Sequence, residues 1–372
     1  MTDPTCTIKY PRRRLARSAM RGLGRVLVAA LTRTRTTGRD HFPEHGPLIV
    51  VGNHIAAIEG VLMVVTTPWQ MEMLGPGDIA PPPAMDAIAR FHGYIPINRG
   101  NPDRQALTQA LDVLRQSGIL GMFPEGGIWD PGAMEAKRGV AWLSHRASAP
   151  ILPIGFGGLE GALDAIFKLK RPELVMNVGT LIPPVQPAPG VPRKHALLAA
   201  SMEIMEAVEA LIPQQYRIQI PDMVSERFEL HIEAKDVANL NVTLPDHIRI
   251  THQDALCKFF YRPAIVRIFI KDLHFPATPL QHLEQRPSPS ELAGALDPIL
   301  HYVERENPGF FTYRFGPVEG RAMEMGLREL RALVQWAVDN KCTLQLQPIR
   351  RYRLAGRPEE IVEQTPREAH LW

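Results

Sequence analysis

The stretch 47-PLIVVGNHIAAIEG-60 runs a block of mostly β-branched apolar residues straight into a histidine, and a carboxylate, Glu59, follows His54 after four small or apolar residues. Its first part, "PLIVVGN" (47–53), reads as a buried strand. His54 then stands at the C-terminal end of that strand, where sites gather in α/β sheets. The residues between His54 and Glu59 offer the imidazole no polar side chain. Two readings stay open on this stretch alone: a working base with Glu59 as its partner, or the end of a buried strand.

Outward from it the sequence alternates. "AMDAIARF" (84–91) predicts a short helix, "YIPIN" (94–98) a strand, and "DRQALTQALDVLRQSG" (103–118) a helix stopped by Gly118. Strand "ILGMF" (119–123), helix "RGVAWLSHRAS" (138–148), strands "PILPIGF" (150–156) and "ELVMNVG" (173–179), and a helix over 193–211 follow. Such alternation predicts an α/β layered sandwich. After Pro213 the pattern changes. "YRIQI", "RFELHIE", "HIRIT", "AIVRIFI" and "TLQLQPI" are expected as strands, with helices near 289–305 and 320–339. Residues 214–372 are therefore expected to form a smaller α+β domain after a 40–213 domain, with residues 1–39 as a separate arm.

The net charge of +3 conceals an asymmetry: residues 1–40 carry ten Lys or Arg against two Asp, so the remainder is acidic. A basic body that binds nucleic acid is excluded on that ground. In the arm, Leu15, Ala19, Leu23, Val26 and Ala30 recur at helical spacing, with Arg14, Arg17, Arg21 and Arg25 on another sector. A basic amphipathic helix suits an anionic membrane surface, to which the arginines would attach it in a salt-sensitive way. A transit peptide, or a helix packed on its own body, would carry the same pattern. No apolar run is long enough to predict a spanning helix. The three cysteines, Cys6, Cys257 and Cys342, match no metal-ligand spacing and are expected to be free thiols.

Four blocks, "GNHIAAIE", "GYIPINR", "FPEGG" and "APILPIG", occur in that order within residues 40–213. In order and spacing they resemble the motifs of the glycerolipid acyltransferases, the PlsC-type family of lysophosphatidic acid and glycerol-3-phosphate acyltransferases. The resemblance implies a layered α/β sandwich with a mixed sheet. It also implies transfer of a fatty acyl group from a coenzyme A or acyl-carrier-protein thioester to a lipid hydroxyl, with no cofactor and no metal. By it His54 is the general base and Glu59 its orienting partner. Arg99 would bind the acceptor's phosphate; Phe123, Pro124, Glu125, Gly126 and Gly127 would form a turn approaching the substrate, and Lys137 would contact a phosphate. Histidine suits the chemistry because its unperturbed pKa lies near neutrality. A carboxylate on the other ring nitrogen fixes the tautomer and stabilises the imidazolium.

The sequence departs from the family pattern twice. Glu59 replaces an Asp, and Gly127 and Ile128 replace a Thr-Arg pair whose arginine helps hold the acceptor's phosphate. Simpler roles compete for several residues: Arg99 and Lys137 as solvated charges, Glu125 as a turn cap, and "IWDPGAM" as a surface loop rather than a lid. An acceptor without phosphate, or a non-catalytic lipid-binding protein on the same fold, are the alternatives. The expected partners are an acyl thioester, a lipid acceptor and an anionic membrane surface, with the protein peripheral on the cytoplasmic inner face.

Overall fold

The computed structural model describes residues 6–54, 56, 58–77, 89, 91–99, 103–126, 137–217 and 223–366. The short helix expected over 84–91, Gly127, Ile128 and the "IWDPGAM" loop, and most of "YRIQI" lie outside the described residues.

The N-terminal unit is built on helix α1 (Arg14–Leu31), strands β1 (Arg33–Thr37) and β2 (Leu48–Gly52), helix α2 (Ile58–Thr66), and strands β3 (Glu72–Pro76) and β4 (Ile95–Ile97). Helix α3 (Arg104–Arg115), β5 (Ile119–Met122), α4 (Gly139–Ala147), β6 (Ile151–Gly157), α5 (Ala162–Phe167), β7 (Glu173–Val178) and α6 (Arg193–Leu211) complete it. The strands form one sheet in the order β1-β7-β6-β2-β5-β3-β4. All neighbours are parallel except β6 and β7, so the sheet is mixed.

Strand β2 lies at the centre, with every residue buried, which is why it reads as continuous apolar text rather than as an alternation. Its Ile49 and Val51 face a core shared with α3, α4 and α6, through Ala110, Leu114, Val140, Leu143, Ile204 and Val208. Leu48 and Val50 face the opposite core with Leu62 and Met63 of α2 and Ile166 of α5. The layers are helix, sheet, helix. Strand β1, within the segment expected as a separate arm, is the edge of this sheet beside β7.

The C-terminal unit pairs β8 (Met223–Lys235), β9 (Thr343–Leu354) and β10 (Glu360–Glu363) antiparallel in the order β10-β9-β8. Helices Gln253–Phe260, Pro289–His301 and Phe310–Asp339 cover it around an aromatic core of Phe259, Phe269, Phe310 and Phe311. Two expected strands are absent there. "AIVRIFI" forms the helix Pro263–Arg267 and a wider turn over Ile268–Asp272, because Ile265, Val266 and Phe269 are the buried residues, a helical spacing. "HIRIT" is irregular; Ile248 and Ile250 pack on the core, but the segment finds no ladder partner among the described residues.

Helix α1 forms where expected, but Arg17 and Arg21 of its basic sector are buried against the body, while Arg14 and Arg25 stay exposed. Arg17 is fully buried: its guanidinium grips Glu72 at 2.5 and 2.8 Å and donates to the carbonyls of His92 and Gly93. Arg21 and Arg25 donate to the carbonyls of Val64, Val65 and Thr67. Those carbonyls end α2 and have no partner within the helix, so the arginines cap it and offset the negative pole of its dipole. The apolar set points outward, with Leu15 86%, Leu23 63% and Val26 65% exposed. Among the described residues no helix is long and apolar enough to cross a membrane.

Candidate active site

Strand β2 stops at Gly52, where a side chain would strike the Phe156 ring at 2.7 Å. Asn53 then takes over the ladder: its amide donates to the Phe156 carbonyl (3.2 Å) and accepts from the Phe156 N–H (2.7 Å). This side-chain rung fastens the chain to β6 for one more residue. His54 is thereby released from the sheet with its ring on the cleft side, stacked on Phe123 at 4.2 Å between centroids and 12° between planes.

Glu59 sits in the first turn of α2, fully buried. Its Oε1 accepts from the Ala56 N–H at 2.5 Å, the back-reach of a capping box. Its Oε2 lies 3.6 Å from His54 Nδ1. That contact is an ion-pair distance, slightly longer than a hydrogen bond. The His54 side chain keeps 20% of its exposure, enough for the other ring nitrogen to be reached.

The turn after β5 closes the site. Glu125, 1% exposed, accepts from the His54 backbone N–H at 3.1 Å. Its carboxyl is pushed up to about 8: burial drives this, the His54 N–H opposes it, and the charges of Glu59 and Glu209 add to it. At neutral pH Glu125 therefore holds its proton, and Glu59 is the charge presented to the imidazole. Gly126 adopts φ +74, a left-handed conformation that favours glycine. Its carbonyl accepts from Arg99, which reaches across from the end of β4 (3.1 Å). Lys137 returns to the same turn, its N–H on the Pro124 carbonyl at 3.0 Å and its Nζ on the Tyr313 carbonyl at 3.3 Å.

The structure thus brings together His54, Glu59, Arg99, Phe123, Pro124, Glu125, Gly126 and Lys137. Gly127 lies outside the described residues. Among the described residues no cluster of three His, Cys, Asp or Glu could hold a metal ion. Sequence reasoning assigned no role to Asn53, although its place directly before the histidine was a signal. It also missed Tyr313, which donates to the Gly126 carbonyl at 3.3 Å from 187 residues away and left no local signal.

Comparison with known proteins places this geometry. The Acyltransferase family model matches residues 33–157. The 1-acyl-sn-glycerol-3-phosphate acyltransferase of Borreliella burgdorferi is 26% identical over 121 residues, 32% of this chain and 48% of that protein. The enzyme of the same name from Bacillus subtilis is 17% identical over 154 residues, 41% of this chain and 76% of its own. This chain therefore spans about half the length of the first relative. Among solved structures, the 1-acyl-sn-glycerophosphate acyltransferase PlsC of Thermotoga maritima aligns with a TM-score of 0.40 and 16% identity, over 56% of this chain and 86% of that one. The matched segment holds β2, His54, Glu59, Arg99 and the 123–126 turn, and over it the chain is similar to acyltransferases that carry the 1-acyl-sn-glycerol-3-phosphate acyltransferase name.

Proposed function

We propose that the protein transfers a fatty acyl group from a coenzyme A or acyl-carrier-protein thioester to a hydroxyl of a lysoglycerophospholipid-type acceptor such as 1-acylglycerol-3-phosphate. One observation carries the reading: a partly exposed imidazole at a strand end, with a fully buried carboxylate 3.6 Å from its Nδ1. The carboxylate favours the tautomer with its proton on Nδ1, which leaves the lone pair on Nε2. The acceptor hydroxyl gives its proton to Nε2 as its oxygen attacks the thioester carbonyl. The tetrahedral intermediate expels the thiolate, and the imidazolium returns the proton to sulfur. Glu59 stabilises the imidazolium between these steps. Neutral Glu125 fixes the His54 backbone without adding charge. Arg99 and Lys137, gathered at the 123–126 turn, bind the acceptor's phosphate.

Acceptor and product are lipids, so the reaction belongs at a bilayer. The exposed Leu15, Leu23, Val26 and Leu27 of α1 would meet that surface, on the cytoplasmic side where the thioester donors are found. Ile128, standing where the family pattern has arginine, favours a second reading, an acceptor that lacks phosphate. Incubation with labelled acyl-thioester and a panel of lysolipids, with the product identified by mass, tests both. Product from 1-acylglycerol-3-phosphate supports the first reading, product from phosphate-free acceptors alone the second, and no product from any acceptor overturns acyl transfer.

A further inference from the structure

The catalytic turn is not finished within the segment that matches the acyltransferase family. The helix Phe310–Asp339 begins against it. The Tyr313 hydroxyl donates to the Gly126 carbonyl at 3.3 Å, the same oxygen that Arg99 holds at 3.1 Å. The approach is close enough that a side chain on Gly126 would overlap the phenol oxygen, with its Cβ only 1.8 Å away. Lys137 is tied to the same residue, its Nζ on the Tyr313 carbonyl at 3.3 Å and 5.0 Å from the ring centroid.

The neighbouring residue is Arg314. It is 7% exposed, with its guanidinium flat against the Phe310 ring at 3.7 Å and 6.0 Å from the Tyr313 ring. Arg314 and Arg99, one from each unit, both act on Asp272: burial raises that carboxyl, and Lys271, Arg99, His274 and Arg314 pull it back down. Arg314 thus lies beside Tyr313, whose hydroxyl is on the turn, and it shares with Arg99 one carboxyl neighbour, Asp272. A phosphate monoester carries nearly two charges and three acceptor oxygens at neutral pH. Its planar, bidentate recognition is the task for which arginine is suited. The turn itself offers none, since position 128 is isoleucine.

We propose that the C-terminal unit completes the acceptor side of the cleft: Tyr313 positions the 123–126 turn, and Arg314 joins Arg99 and Lys137 in binding the acceptor's phosphate. This rests on the proposed acyl transfer. Tyr313 acts through Gly126 and Lys137 and is a positioning residue; Arg314 contacts the substrate.

The test is steady-state kinetics of the full chain with two acceptors, 1-acylglycerol-3-phosphate and monoacylglycerol, alongside thermal unfolding. For Arg314→Gln we expect KM for the phosphate-bearing acceptor to rise about tenfold or more beyond any change in KM for monoacylglycerol. Arg314→Lys should restore part of the loss. Tyr313→Phe keeps the ring over Lys137 and removes the hydroxyl's bond to Gly126. It should lower kcat/KM about 3- to 10-fold for both acceptors at an unchanged melting temperature. Unchanged KM in Arg314→Gln, an equal loss with both acceptors in that variant, or wild-type rates in Tyr313→Phe would overturn the inference and leave acyl transfer standing. A wild-type protein that acylates neither acceptor overturns acyl transfer, and this inference with it.

Discussion

The proposed role of His54 can be separated from its part in stability. Its ring rests on Phe123 and keeps part of its surface, so His54→Ala should melt close to the wild type. Its acyl-transfer rate should nevertheless fall by about 10²- to 10⁴-fold, the usual loss for a positioned base. Glu59→Gln keeps a carbonyl for the Ala56 N–H but loses the charge facing the imidazolium. Its rate should fall nearly as far, with a small change in melting temperature. Glu125 yields a pH test. The unfolded chain releases this proton near the ordinary value of 4.5, whereas the folded site holds it to about 8. The stability associated with the group is therefore full below about 4.5 and is lost as pH rises toward about 8. Glu125→Gln should gain on the wild type in melting temperature across that window and run parallel to it above. Parallel curves from pH 4 to pH 9 would show that the carboxyl is not buried as described.

Helix α1 shows how an amphipathic pattern fixes two faces without saying which one is wet. The spacing of Arg17, Arg21 and Arg25 was legible, but their partners were not. A buried glutamate on β3 and the last carbonyls of α2 come from segments 40 to 60 residues away, and the capping demand of α2 belongs to a helix that sequence reasoning did not single out. Glu72 shows the result. Burial alone would raise its carboxyl, but hydrogen bonds from Arg17 and Arg12 bring it below its ordinary value. Removing one partner strands the other charge, so Arg17→Met should cost about 3–5 kcal/mol in denaturant unfolding. This burial also changes the expected membrane behaviour. With Arg17 and Arg21 buried, α1 should bind vesicles mainly through Leu15, Leu23, Val26 and Leu27, and binding should respond less to salt than four exposed arginines would make it. Leu23→Asp with Val26→Asp should release the protein from vesicles and spare turnover of a water-soluble short-chain acceptor. Flotation that is abolished by 0.5 M salt and untouched by these substitutions would return the role to the arginines. Deleting residues 1–35 is a poor test, because it removes the cap of α2 and part of the sheet's edge strand.

At the scale of the molecule, β2, β4, β5, β6 and β7 were legible as largely apolar runs between turn residues, and α3, α4 and α6 through their helical period, whereas α2, β3 and α5 were not singled out. The mixed sheet was expected from the resemblance alone, and the place of β1 was not legible, since β1 is "RTRTT", a polar edge strand with no apolar side chain to mark it. In the C-terminal unit the β-branched "AIVRIFI" misled because tertiary packing on Phe269 overrode strand propensity. The site divides the same way. His54, Glu59, Arg99 and the 123–126 turn lie in short blocks whose chemistry can be read locally, whereas Asn53 acts through a strand 103 residues on and Tyr313 through a helix in another unit. The central claim is that His54 removes the acceptor's proton with Glu59 behind it. The most direct measurement is the single-turnover rate of acyl transfer from a labelled thioester to 1-acylglycerol-3-phosphate by wild type, His54→Ala and Glu59→Gln. His54→Ala should lose at least about 10²-fold, and Glu59→Gln nearly as much, with melting temperatures close to the wild type. A His54→Ala protein that keeps the wild-type rate would contradict the account.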